Sequence, residues 1–215
     1  MRNTVSRYIF WLAILTWASC IPKTDTPKTS VNKSLAQKEI QKIYNLMATS
    51  DSDSLCQFLR HQDPTYRYHS LIVLSSLRDK KTLDSITPLL NDPVMDVRAQ
   101  AAFAIGQLGD EKGALKLISA FRNKDTISVN NPFNANILEA IGKTGNLSML
   151  KSLASVKTYR VTDTMLISGQ IKAVYHFMLR KKTAPEGSEA ALTILSEKKH
   201  TPEIRLYAAH YFARG

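Results

Sequence analysis

Two cysteines in 215 residues are too few for a disulfide framework, and neither Cys20 nor Cys56 lies in a Cys-x-x-Cys or Cys/His cluster. Glycine and proline number eight each and aromatics make up 8%, which disfavours an all-β fold built on many tight turns. The histidines His61, His69, His176, His200 and His210 form no HExxH pair, and no Gly-rich phosphate loop or nucleophile elbow is present. Cys56, between Leu55 and Phe58 on an amphipathic stretch, reads as a small buried hydrophobe. No catalytic residue, cofactor or metal is therefore expected from the motifs.

Acidic charge is also scarce. Lys and Arg number 29 against 18 Asp and Glu, giving a net charge of +11 and a pI near 9.7. Such an excess suits acidic proteins, anionic lipid or nucleic acid, although Lys-rich helices also solvate their outer faces in this way.

The N-terminus narrows the choice. Arg2 and Arg7 form a basic start, Tyr8 to Trp17 is an apolar run interrupted only by Thr16, and Ala18-Ser19 lead to Cys20. The run is too short to span a bilayer of about 30 Å but fits the apolar region of a signal peptide. Small residues directly before a cysteine resemble a bacterial lipobox, in which the cysteine is lipidated and becomes the new N-terminus. That resemblance implies a signal peptide over residues 1–19 and a lipid on Cys20. Trp17 departs from the aliphatic residue usual at its place. Residues 20–34, rich in Pro, Thr, Ser and Lys, read as a flexible tether because they cannot bury enough surface to offset the entropy of ordering. Export to a bacterial envelope, facing the periplasm from the outer membrane, argues against nucleic acid as a partner and leaves protein, with the membrane reached through the N-terminal lipid.

From Leu35 onward the apolar spacing is helical. Val97, Ala101, Ile105 and Leu108 form one stripe, Asp96 stands in the first turn, and Gly109 is placed to end the helix. Ala101, Ala102, Ala104 and Gly106 suggest close approach to neighbours. The pattern repeats: Tyr66–Asp79 aligns with Val97–Asp110 without gaps at a shift of 31, pairing Arg67 with Arg98 and Leu77 with Leu108. An apolar segment precedes each copy, DSLCQFLR and LDSITPLL, joined through Asp63-Pro64 and Asp92-Pro93. Looser copies follow at Asn136–Asn146, Ile167–Leu179 and Pro202–Gly215, with ALKLISAF, SMLKSLAS and EAALTILS as their partners. Gly106/Gly109 and Gly142/Gly145 read as punctuation at helix ends. The last segment is apolar nearly all round, so something is expected to pack on it.

Asp92-Pro93, Val97-Arg98, Ala101-Ala102, Ala104-Ile105-Gly106 and Leu108-Gly109-Asp110 resemble a HEAT repeat of the short bacterial type. The resemblance covers residues 35–215 and is strongest over 53–146. It implies an all-α, right-handed α-solenoid of about five antiparallel helix pairs. It also implies a ladder of hydrogen bonds along the stack between a turn Asp and an Arg six positions on. Asp92 and Arg98 have that spacing. Asp63 and Arg67 are four apart, so the first turn is two residues shorter; Arg67 and Arg205 hold the matching places. The order of lipobox, tether and repeats is similar to the N-terminal part of Bacteroidetes lipoproteins in which HEAT repeats precede a cyclophilin-type peptidyl-prolyl isomerase domain. No active-site residue of that domain has a counterpart here.

The least regular unit, Val156–Lys182, brings together Tyr159, Arg160, Tyr175 and Arg180 as a candidate aromatic and basic binding surface. The competing reading is core packing for the aromatics and solvated helix ends for the cations. The functional expectation is a scaffold that binds protein partners or clients, or the scaffold region of an isomerase whose catalytic domain lies outside this sequence.

Overall fold

A computed structural model describes residues 28–122, 128–156, 160 and 162–215. Among these, every regular element is helical: α1 (Lys38–Ala48), α2 (Ser52–Phe58), α3 (Pro64–Leu77), α4 (Leu83–Ile86), α5 (Met95–Leu108), α6 (Glu111–Ala120), α7 (Asn131–Thr144), α8 (Leu147–Ala154), α9 (Thr164–Leu179), α10 (Pro185–Ser196) and α11 (Pro202–Arg214). None is long and apolar enough to cross a membrane.

Caps set where these helices begin. The carboxylates of Asp51, Asp63 and Asp110 accept from the backbone N–H of Ser54, Thr65 and Lys112, and the Asn146 side chain accepts from Met149. Each satisfies a donor that the first turn leaves unpaired. Pro64, Pro132, Pro185 and Pro202 stand in first turns, where their missing N–H costs nothing. The aligned ends also agree: Arg78 and Gly109 are both left-handed, at φ 55° and 64°, and close α3 and α5 in the same way.

The helices form an α-solenoid of two layers. The second helices α3, α5, α7, α9 and α11 lie side by side, with α1 ahead of α3. The first helices α2, α6, α8 and α10, together with the segment 80–91, form the other layer, and each packs on the second helix that follows it. The core runs between the layers, with Leu71, Leu74, Ile105, Phe133, Ile137 and Phe177 fully enclosed. All five expected pairs are present; α1, with Ile40 and Ile43 buried, adds a half unit ahead of them in the stretch read as helical from Leu35.

The expected helix LDSITPLL is broken. Only Leu83–Ile86 is α-helical, flanked by 3-10 turns at Lys80–Thr82 and Thr87–Asn91. Pro88 supplies no N–H to carry the α ladder on to Asp84 O, and Leu83 O accepts from both the N–H and the hydroxyl of Thr87.

Small residues bring the second helices together. A Cβ on Gly106 would stand 2.9 Å from Ala140 Cα, one on Gly142 2.5 Å from Ala173 Cα, and one on Gly169 2.7 Å from Ala135 O. Gly106 and Gly142 are thus contact residues rather than punctuation, and among the glycines only Gly109 uses a left-handed conformation. In the other layer α6 and α8 hardly touch. Close approach in one layer and a gap in the other bend the array, with the second helices on the inside.

Part of the expected tether is held. Lys28 donates to Asp63, the Asn32 N–H to Thr65 Oγ1 at 3.1 Å, and His69 Nε2 lies 2.9 Å from Asn32 O. A carbonyl only accepts, so Nε2 carries a proton, and Nδ1 lies 3.0 Å from the Tyr44 hydroxyl. Polar contacts, invisible to a count of apolar residues, strap 28–34 across the first unit. Residues 20–27, and Cys20 with them, lie outside the described residues.

Candidate protein-binding face

The ladder is built differently from its expected spacing. Arg67 reaches forward to the next turn and donates to both Asp92 oxygens, Nε to Oδ2 at 2.7 Å and Nη2 to Oδ1 at 2.9 Å. The pair is well covered, with the side chains 11% and 5% exposed, and Asp92 also accepts from Val94 N–H. Arg98, six residues from Asp92, donates to the carbonyls of Asp92 and Pro93 in its own turn. The next turn offers it Asn131 instead of Asp, and its guanidinium lies 5.7 Å from the Phe133 ring centroid. Burial, with Arg122 nearby, pushes its pKa down, and its Nε has no partner. Arg205 Nε donates to Leu195 O and closes the end of α10. Arg67 thus ties one turn to the next, whereas Arg98 and Arg205 close a turn and a helix end within their own units.

The four candidate surface residues separate. Tyr159 lies outside the described residues. Arg160 and Arg180 flank opposite ends of α9, roughly 24 Å of helix apart. Arg160 is exposed and donates to Asp163, whose carboxyl those hydrogen bonds hold below its usual range. Arg180 is half-buried, donates to Gly142 O and Gly145 O, and closes the end of α7. Tyr175 is buried, ringed by His176, Tyr207 and His210, and its hydroxyl accepts from Arg214 at 3.1 Å.

A different set shares one face. On the inner side of the second helices, cations, aromatics and carboxylates lace each helix to the next. Lys33 of the strap lies 5.7 Å from the Tyr68 ring of α3 and 3.5 Å from Asp96 of α5. Lys143 of α7 lies 4.9 Å from the Phe103 ring of α5. Glu139 of α7 accepts from Lys143 at 2.7 Å and lies 3.6 Å from His176 of α9. Lys172 of α9 lies 5.1 Å from the Tyr207 ring and 3.9 Å from Glu203, both on α11. Burial alone would raise the pKa of Glu139; the nearby His176 ring and the hydrogen bond from Lys143 overcome it and hold the carboxyl at about 2. A cavity of about 430 Å³ opens here, lined among others by Asn136, Glu139, Met165, Lys172 and Glu203.

A second cavity of about 440 Å³ lies between α8, α9 and α10, away from this face, with Glu186, Glu189, Glu197 and His200 in its lining. His200 is bridged to Glu197 at 3.1 Å. Among the described residues no three His, Cys, Asp or Glu side chains are placed to hold a metal ion. Cys56 is partly buried in the core margin, and burial pushes its thiol pKa up.

The inner stripe escaped the reading by motif because its members come from six separate segments, the strap and five helices. Its one local signal was the i, i+4 pair Glu139 and Lys143, which shares a helix face.

Residues 52–131 match the family of HEAT repeats. The matched HEAT span runs from α2 to the first residue of α7 and includes the Arg67–Asp92 ladder. No curated protein matches the chain. HEAT repeats commonly mediate contact between proteins, because stacked units offer an extended surface along the inside of the bend.

Proposed function

We propose that this chain is an envelope lipoprotein whose HEAT-repeat array binds a protein client on the inner face of its second helices. The inner stripe carries the proposal. It is continuous across four helix interfaces, carries both signs of charge and half-buried aromatic rings, and has Met165 as an exposed apolar anchor beside its cavity. Such a surface suits a polypeptide with mixed polar groups. The basic, apolar and cysteine-ended N-terminus supports lipidation at Cys20 and attachment to the outer membrane.

Two measurements test it. Palmitate labelling of the native protein is expected and should vanish in Cys20→Ala. Envelope proteins retained by the mature chain should be lost with Lys143→Glu/Lys172→Glu while the circular dichroism spectrum stays unchanged. An identical retained set would remove the inner face from the function.

A second reading, the scaffold region of a cyclophilin-type peptidyl-prolyl isomerase, is favoured by one observation. Leu206 and Phe212 of α11 and Leu192 of α10 are exposed at the end of the array, an apolar face on which a further domain could pack. A reading frame that stops after Gly215, with no cyclophilin-type gene beside it, would remove this reading.

A further inference from the structure

The cavity of about 440 Å³ between α8, α9 and α10 lies away from the inner face. Two polar groups in its lining have no partner. Gln170 of α9 is 5% exposed, and its Nε2 donates both protons, to Leu153 O at 2.8 Å and to Val156 O at 2.9 Å. The planar amide therefore turns Oε1 the other way, and among the described residues no donor reaches it. Glu186 stands in the first turn of α10 with Oε2 buried and no hydrogen-bond partner. Among the described residues Glu186 forms no ion pair either. Glu197 differs, because Lys199 at 2.8 Å and His200 at 3.1 Å answer its charge.

A buried carboxylate oxygen without a donor is costly, and native structures rarely leave one. Water is a poor sole answer, since one molecule takes only about 30 Å³ and much of the wall is apolar. Ala154, Ile167 and Ile194 are buried along that wall, and Ala190 is half-buried. A metal ion is a poor answer as well, because among the described residues no three His, Cys, Asp or Glu side chains are placed to hold one. The lining asks instead for donated protons, positive charge and an apolar body in one molecule.

We propose that this cavity binds an organic ammonium group carried on a short apolar stem. The ammonium donates to Glu186 Oε2 and Gln170 Oε1, and the stem lies along Ile167 and Ile194. Charge selects the ligand through Glu186, the carboxylate in the lining that is buried and unanswered. Two sources share this chemistry: a free alkylamine and the lysine side chain of a partner protein. The site does not rest on the client of the inner face.

The test is a ligand-observed NMR titration of the mature chain from Cys20 at pH 7 with pentylamine, which is protonated there. Pentanol and pentanoate keep the stem and lack the positive head. Saturable binding of pentylamine alone is expected, at a Kd on the order of 1 mM for so small a molecule. Glu186→Gln keeps the shape, removes the charge and should weaken binding at least about tenfold. Ala190→Phe should fill the cavity and abolish binding, whereas Glu203→Gln on the inner face should leave it unchanged. Circular dichroism checks that each variant is folded. No saturable binding, which would leave the cavity to water only, overturns the proposal. Equal binding of pentanol or indifference to Glu186→Gln does so too, as does displacement of pentylamine by an equal concentration of magnesium. Nα-acetyl-lysine amide separates the two sources. Binding as tight as that of pentylamine assigns the cavity to a partner's lysine, and exclusion of the bulkier molecule assigns it to a free amine.

Discussion

At the residue scale, two carboxylates carry more than their surroundings suggest. Asp92 is held by a bidentate guanidinium in a setting with little water. Removing one partner leaves the other charge buried, which typically costs about 3–5 kcal/mol. Arg67→Ala should therefore lower unfolding stability by that order, whereas Arg205→Ala, which gives up a single bond to Leu195 O, should cost about 1 kcal/mol. Urea titration of both variants checks the ranking. Glu139 is the other case, with its side chain 21% exposed and its pKa lowered from 4.5 to about 2. A depressed carboxyl pKa contributes stability above the unfolded value, and that contribution is lost as pH falls through the folded value. Up to about 3 kcal/mol should thus disappear between pH 4.5 and pH 2, and Glu139→Gln should flatten that part of the stability curve. Turns and helix ends were the legible part at this scale, since Asp63-Pro64 and Gly109 act locally. The ladder partner was not. Whether an Arg finds a carboxylate depends on what the next turn presents, Asp92 to Arg67 but Asn131 and Phe133 to Arg98.

At the element scale, helix existence followed from apolar periodicity and helix contact from small residues. Gly106 was read correctly as a place of close approach, and its neighbour across the layer is Ala140. Gly106→Leu should destabilise by about 1–3 kcal/mol through overpacking. Gly142→Leu should cost more, because the obstacle at 2.5 Å is the backbone of α9 at Ala173, which cannot swing aside as a side chain can. Melting temperatures of the two variants should fall in that order; an unchanged value for Gly142→Leu would contradict the packing of α7 on α9. The failure at Lys80–Asn91 has a plain cause. Apolar spacing alone suggested a helix there, and Pro88 removes the donor that such a helix needs.

At the scale of the whole molecule, a repeat array is stabilised by each unit and by the interface to its neighbour. Interfaces here are unequal. Two Gly–Ala contacts join α7 to α9, whereas α1 and α11 each have a second-helix neighbour on one side only. Amide hydrogen exchange should be slowest in α7 and α9 and fastest in α1, α2 and α11. Uniform protection along the chain would show a single cooperative unit instead. The architecture was legible because it repeats within the sequence, at a shift of 31. The inner stripe was not, since it is assembled from residues tens of positions apart and depends on which faces turn inward.

The strap also sets a leash. Once Lys28 is held at Asp63, only residues 20–27 remain between the proposed lipid and the first unit. Eight residues reach at most about 28 Å even when fully drawn out. The array would then work close to the bilayer with its first unit nearest the lipid, and partners would be met in a thin layer above the membrane rather than across the depth of the compartment.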